Sequence, residues 1–259
     1  MLNNEAQKTG KLIGIGVGPG PAGLIPVAAV NAISVAGIVY APRAKESLNS
    51  VAKQCIADLR VPPDKIREIL YNMETDRSCL QTCYENLAQE IAAEIAGGKT
   101  VVYLTIGDTL TYSTYGYMLQ ALLAFAPEIE HATIPGITSY AAVAAAIDWP
   151  LGQGKERTLI LPCPNSISEL QAEIENHDVI VLMKIGHRLP MVLKLIDQLG
   201  IASLCGFASR LGFENELIIP RLTECAKMLQ SSLPDDASNY LSTMLIRKTP
   251  FFFHSEASH

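Results

Sequence analysis

The sequence is short of the features that mark several common classes of protein. It has no basic excess: 20 lysines and arginines stand against 26 aspartates and glutamates, a formal net charge of −6. Without a basic stripe nothing supplies the field that neutralises phosphates, which excludes bulk nucleic-acid binding. No apolar run reaches the ~18 residues of a membrane span, and the longest, Tyr140 to Ile147, is short and alanine-rich. No membrane association is expected. The opening MLNNEAQKTGK has no apolar signal core, so the expected location is the cytoplasm. The six cysteines, at 55, 79, 83, 163, 205 and 225, form no C-x-x-C, and the five histidines follow no ligand spacing. Reduced structural thiols and no bound metal are the expectation. A Ser-His-Asp or Cys-His signature for nucleophilic catalysis is also missing, as are internal repeats and low-complexity tracts.

What the chain does have is regular alternation. Its 259 residues are 49% hydrophobic and 18% charged, enough for a substantial core in one large or two ordinary domains. Short apolar runs predict strands over 11–16, 36–41, 66–71, 100–105 and 131–134, with helices over 22–35, 45–58, 77–97, 113–125 and 138–147. The helix at 77–97 has the clearest spacing, with Leu80, Cys83, Tyr84, Leu87, Ile91 and Ile95 on one face and Gly97-Gly98 to end it. Such alternation predicts an α/β fold, a parallel sheet with helices on both faces. The second half restarts with strands over 157–161, 178–184, 202–207, 215–219 and 240–247, and helices over 167–176, 189–199 and 221–230. Between the third and fourth of these strands there is no room for a crossover helix, so an antiparallel pair and a mixed sheet are expected. The seam is placed at Pro135-Gly136, giving domains of 11–135 and 136–250 and a tail of 251–259.

Two turns carry the chemistry. The first, LIGIGVGPGPAGLIPVAAV from Leu12 to Val30, runs from a strand into three alternating glycines interleaved with prolines. Gly18, Gly20 and Gly23 satisfy G-x-G-x-x-G, but the second apolar run ends in Ala41-Pro42-Arg43 with no carboxylate to hold a ribose. A structured turn that lets a small molecule approach the backbone is the better reading, and Gly18→Val is expected to block that approach while leaving the fold intact. The second turn is Gly107-Asp108, followed by seven hydroxyls in the nine residues Thr109 to Tyr117. A turn with a capped helix accounts for Asp108 and Ser113. It does not account for Tyr112, Tyr115 and Tyr117, whose rings suit a large flat ligand with polar edges. Asp108 itself has two open roles: shaping its turn through backbone amides, or acting as a charge or base in chemistry.

Gly16-x-Gly18-Pro19-Gly20, then Gly107-Asp108, then Ile134-Pro135-Gly136-Ile137-Thr138-Ser139, then Met183-Lys184, in this order, resemble the tetrapyrrole methylase family over Lys11 to Lys248. YLTIGDTLTYSTYGYML, LMK at 182–184 and ASRLG at 208–212 are most similar to the branch that methylates carbon 20 of a precorrin-2-type ring. The resemblance implies a two-domain α/β fold, an N-terminal parallel sheet and a C-terminal mixed sheet with the active-site cleft between them, and a homodimer. It implies S-adenosyl-L-methionine as cofactor, and precorrin-2 or cobalt-factor II as substrate in cobalamin biosynthesis. By position, Val17, Pro19, Gly107, Asp108 and Thr111 approach the cofactor, Thr138 and Ser139 its methionine or ribose, and Met183 and Leu211 its adenine, with Thr243 on the last strand. The family has proline after Gly-Asp, where this chain has Thr109.

Sulfonium-to-carbon methyl transfer asks a protein mainly to align reactants, exclude water and let a proton leave, which suits a chain without a nucleophile signature. The implied substrate is a polycarboxylate, so an acidic protein needs local cations to steer it. Arg43 is the first candidate, with Lys45, His187 and Arg188 behind it. Two other readings stay open: a family member acting at a different ring carbon, and a non-catalytic nucleotide- or tetrapyrrole-binding protein.

Overall fold

Punctuation by proline, glycine and capping residues sets most element boundaries in the computed structural model, which describes residues 10–20, 22–45, 49–71, 77–223 and 241–249. The chain divides into two units, Met1–Thr138 and Ser139–His259.

The first unit contains β1 (Lys11–Gly16), α1 (Val27–Ser34), β2 (Ile38–Ala44), α2 (Val51–Cys55), β3 (Ile66–Tyr71), α3 (Arg77–Ala96), β4 (Thr100–Thr105), α4 (Tyr115–Phe125) and β5 (His131–Ile134). All its strand pairings are parallel, in the order β3-β2-β4-β1-β5. The period of two sends Leu12, Ile38, Tyr40, Val101 and Tyr103 to one face, where they pack with Tyr84, Leu87, Ile91, Met118 and Leu122 of α3 and α4. The opposite face receives α1 against β1, and α2 against β2 and β4. Both faces are covered over β1, β2 and β4, which is why these inner strands read as largely apolar runs, while the edge strands β3 and β5 carry polar residues.

Two boundaries differ from expectation. β2 continues through Pro42 and Arg43 to Ala44 instead of stopping near Ala41. Beyond Tyr40 it pairs only with β3, so the missing proline N–H can fall on the unpaired side. The helix expected from residue 22 is a short 3-10 turn, Ala22–Leu24, and α1 begins only after Pro26, whose ψ of 138 is extended. The shorter α2 starts where the Ser50 hydroxyl accepts the Lys53 N–H at 3.2 Å, a side-chain cap for an otherwise unpaired donor.

The second unit contains α5 (Ser139–Ala146), β6 (Thr158–Pro162), α6 (Ile167–Asn176), β7 (Val179–Met183), α7 (Leu189–Leu199), β8 (Cys205–Ser209), β9 (Leu217–Ile219) and β10 (Ser242–Arg247). Its sheet runs β6-β7-β10-β8-β9. β6 and β7 are parallel, β10 is antiparallel to β7 and β8, and β8 is antiparallel to β9. The sheet is mixed, and the short 210–216 connection does join an antiparallel pair. One face packs Leu182, Phe207 and Met244 on α6 and α7, and the other packs Val181, Ala208 and Leu245 on α5 and Trp149. Each large apolar side chain buried this way contributes about 1.5–3 kcal/mol.

The loop after α5 is fastened by a charge pair. Arg247, 2% exposed at the end of β10, places Nη2 2.6 Å from both Glu156 oxygens, and its Nη1 donates to the Pro150 carbonyl. The expected helix over 221–230 and the tail lie outside the described residues, apart from 221–223. Among the described residues no helix is long and apolar enough to cross a membrane.

Candidate functional site

In the first unit three strand ends meet through their backbones. Gly18 and Gly107 form an antiparallel bridge, N–H to carbonyl both ways at 3.2 and 2.7 Å, and the Val17 N–H donates to Thr105 at 2.9 Å. Gly136, just past β5, lies so close that a Cβ there would sit 2.1 Å from the Gly107 carbonyl oxygen and 2.7 Å from the Gly16 Cα. No side chain fits that approach, so glycine at 136 is a steric requirement. The glycine turn therefore does not open into a helix as a dinucleotide loop would; it is bonded to the second turn.

Gly18 corrects an expectation. Its φ is +77, and a Cβ would stand 2.8 Å from the Leu24 carbonyl oxygen. The space beside it is filled by its own chain, so Gly18→Val strains the turn itself as well as any ligand approach. Val17 is wholly buried as a side chain. Pro19 is buried within the same turn.

Asp108 closes the arrangement. Its Oδ1 accepts from the Leu110 N–H at 3.1 Å and from the Thr111 hydroxyl at 2.7 Å, and its Oδ2 accepts from the Gly136 N–H at 3.1 Å. Burial by itself raises the carboxyl, but hydrogen bonds from Thr111, Gly136, Leu110 and Thr109 outweigh it and hold the pKa below the ordinary value. The carboxylate stays ionised and is a weak base. Thr109 is fully buried, and its hydroxyl donates to the Ile134 carbonyl at 2.5 Å. This hydrogen bond anchors the turn to β5.

The three tyrosines separate. Tyr115 is 0% exposed; its ring occupies the space beside Gly14 and its hydroxyl lies 3.0 Å from Thr133 Oγ1. It is a core residue and is withdrawn as a ligand contact: at the first position of α4 it points into the sheet, which local spacing cannot reveal. Tyr117 is 62% exposed and stacks on Tyr84, with centroids 5.6 Å apart. Tyr112 is 46% exposed, with a φ of 51 in the loop after β4. A non-glycine residue in that region is strained by about 1–3 kcal/mol and tends to mark functional loops. Arg43 also moves out of the expected role: it lies within β2 and pairs with Glu68 at 3.1 Å.

In the second unit Ser139, Met183, Leu211 and Thr243 come together. The Ser139 and Thr243 hydroxyls are 3.3 Å apart, and Thr243 is in register with Met183 on one side and Ala208 on the other. Met183 and Leu211 are half-buried against the cluster of Val143, Ala144, Ala208 and Leu245. They leave a small apolar shelf with hydroxyls beside it. Thr138 immediately precedes α5. Sequence reading passed over Arg210 as a ligand contact, although it sits next to Leu211; its φ of 54 marks it out, and its buried Nε, like those of Arg43 and Arg247, makes no hydrogen bond.

Comparison with known proteins gives a consistent picture. The pattern of the Tetrapyrrole (Corrin/Porphyrin) Methylases matches residues 11–226. The chain is 28% identical over 239 residues to the cobalt-precorrin-2 C(20)-methyltransferase of Salmonella typhimurium, covering 92% of this chain and 97% of that one. It is 30% identical over 247 residues to the precorrin-2 C(20)-methyltransferase of a Sinorhizobium species, covering 92% and 95%. In structure it resembles the uroporphyrin-III C-methyl transferase of Thermus thermophilus solved with S-adenyl homocysteine, with a TM-score of 0.62, 17% identity and coverage of 92% and 98%.

Proposed function

Since the chain belongs to the tetrapyrrole (corrin/porphyrin) methylase family, we propose that it transfers a methyl group from S-adenosyl-L-methionine to carbon 20 of precorrin-2 or its cobalt-bearing form, a step of cobalamin biosynthesis. The observation that carries this reading is likeness to two C(20)-methyltransferases over nine-tenths of the chain. The order of the turns supports it: Gly-x-Gly-Pro-Gly, Gly-Asp and Pro-Gly-Ile-Thr-Ser each follow a parallel strand of the first unit, the ends at which open α/β sheets bind ligands.

The residues present suit the cofactor. The Met183 and Leu211 shelf matches a purine face, and the Ser139 and Thr243 hydroxyls, with Thr138, match a ribose or an amino-acid head. The turns holding Val17, Pro19, Gly107, Asp108 and Thr111 offer backbone polar groups in the first unit. When bound, S-adenosyl-L-methionine supplies a sulfonium methyl that carbon 20 of the ring attacks. Asp108 is assigned as a positioning residue: its oxygens are occupied by Leu110, Thr111 and Gly136, and its lowered pKa makes it a poor acceptor for the departing proton. Its fixed negative charge favours a nearby cation such as a sulfonium. Tyr112 remains assigned to the substrate, since it is exposed and strained; Tyr117 is kept as a second contact.

A homodimer working in the cytoplasm belongs to the same reading and rests on family likeness; light scattering of the purified chain tests the dimer. The activity is tested by incubation with methyl-labelled S-adenosyl-L-methionine and precorrin-2 or cobalt-factor II. One added methyl, located at carbon 20 by NMR, is the expected product. A methyl at another ring carbon would move the chain to a different branch of the family, and no transfer from either substrate would overturn the proposal.

A further inference from the structure

Six of the described arginines fall into two kinds. Arg43, Arg67, Arg157 and Arg247 each pair with a carboxylate: Glu68, Glu90 and Glu94, Asp178, and Glu156. Arg188 and Arg210 have no carboxylate partner among the described residues. Both issue from the carboxyl ends of parallel strands in the second unit, Arg188 shortly after β7 and Arg210 directly after β8. Only β10 lies between those strands, so their ends are separated by two strand spacings, about 10 Å. The same edge carries Met183, Leu211 and Thr243.

Each of the two is held in place without being neutralised. Arg188 donates through Nε to the Asn165 side-chain oxygen at 2.6 Å and through Nη1 to the Lys184 and Ile185 carbonyls at 3.1 and 3.4 Å. These acceptors are neutral, and Nη2 has no partner among the described residues. Arg210 is fastened by its backbone alone: its N–H donates to Leu241 and its carbonyl accepts from Phe213, both at 2.9 Å. That clamp keeps it at a φ of 54, a conformation glycine would adopt at no cost. Its Nε is buried and makes no hydrogen bond. A partly desolvated guanidinium without a counter-ion is unfavourable until an anion arrives.

We propose that Arg210 and Arg188 bind carboxylate on the reactants, Arg210 as the specificity-determining contact and Arg188 as a pre-oriented second one. The planar guanidinium matches a carboxylate in a two-point contact that lysine cannot reproduce. This rests on the tetrapyrrole-methylase reading, which brings two sources of that group: the side chains around the ring, and the amino-acid end of S-adenosyl-L-methionine. It also relieves the mismatch between an acidic protein and an acidic substrate, because two uncompensated cations meet the ligand where net charge does not.

The test is Arg210→Gln and Arg210→Lys in the full-length chain, with Arg188→Gln as an independent second site. Steady-state kinetics would be measured with precorrin-2, and S-adenosylhomocysteine affinity by calorimetry. For Arg210→Gln the expected result is a KM for the ring raised about ten-fold or more with kcat little changed, as follows from losing a charged hydrogen bond. Arg210→Lys should recover part of this and show a stronger dependence on salt. A raised ring KM with unchanged S-adenosylhomocysteine affinity assigns the ring carboxylates, and the reverse assigns the cofactor carboxylate. Unchanged values for both ligands in Arg210→Gln and Arg188→Gln would overturn the proposal. If the wild-type chain leaves precorrin-2 unmethylated, the activity reading fails separately, and fluorescence-detected binding of uroporphyrin III to wild type and Arg210→Gln still decides the role of Arg210. Should Arg210→Gln melt far below wild type, Arg210→Lys and Arg188→Gln carry the same comparison.

Discussion

Asp108 in the first unit and Glu156 in the second are both held below their ordinary carboxyl pKa, yet by opposite means. Burial opposes ionisation in each, and hydrogen bonding overcomes it in each. Glu156 is neutralised: Arg247, almost fully buried, takes both its oxygens, and the Gln153 N–H adds a third bond at 2.8 Å. Asp108 has no cationic partner among the described residues. Three backbone amides and a hydroxyl stabilise it, so its charge is fixed in place but not cancelled. The first arrangement builds a loop, and the second leaves a field for a ligand to meet. A lowered carboxyl pKa alone does not separate structure from function; the identity of the partner does.

The largest expected effect breaks the neutralised side. Arg247→Ala leaves Glu156 charged and half-buried without its partner, and should lower unfolding free energy by about 3–5 kcal/mol, measured by urea titration. A loss under about 1 kcal/mol would mean that the loop is held by Trp149 packing and that the pair contributes little. Next comes Asp108→Asn. Asparagine has one acceptor oxygen where aspartate has two, so its amide group would face either the Gly136 N–H or the Leu110 and Thr111 donors. The expected loss is about 1–3 kcal/mol, accompanied by weaker S-adenosylhomocysteine binding and little change in turnover at saturation. Turnover falling by about a hundred-fold with binding intact would return Asp108 to a direct chemical role.

A pH titration of stability sharpens the contrast. A carboxyl with a depressed folded pKa stabilises the protein above its unfolded value, and that stability disappears as pH falls through the folded value. Wild type should therefore weaken progressively below the ordinary values of 3.8 and 4.5 for these two groups. Asp108→Asn should show a shallower acid limb than wild type in the same titration. The smallest effect expected is at Thr109. Thr109→Val keeps the shape but leaves the Ile134 carbonyl without its hydroxyl donor, a change of about 1 kcal/mol in the same urea assay.

Much of this was legible in the sequence, and the exceptions share a cause. β3, β4, β5 and α3 fall where periodicity and Gly97-Gly98 place them, because strand and helix periods are local properties. β2 ran past its proline because a strand with one free side tolerates a missing donor, and one-sidedness is a fact of pairing. The turns containing Gly18, Asp108 and Gly136 were visible as motifs, but their mutual hydrogen bonds were not. Tyr115 looked like a ligand contact beside Tyr112 and Tyr117; only the position of Gly14 on the neighbouring strand shows that its ring is needed to fill the sheet's packing. Arg210 is the converse case, an ordinary residue in sequence that becomes unusual through what does not surround it.

The place of β10 has a consequence for how the chain is made. It is the central strand of the second sheet, fully buried, and it separates β7 from β8. Until residues 242–247 leave the ribosome, both neighbours present open edges of apolar strand to the cell. The first unit can close during synthesis, because its five strands all lie upstream of residue 135. The second must wait for nearly the whole chain and then admit a strand from far along it, a long-range and therefore slow event. Aggregation during expression should thus begin in the second unit, and a chain stopped before Ser242 should be captured by chaperones with its first unit already folded.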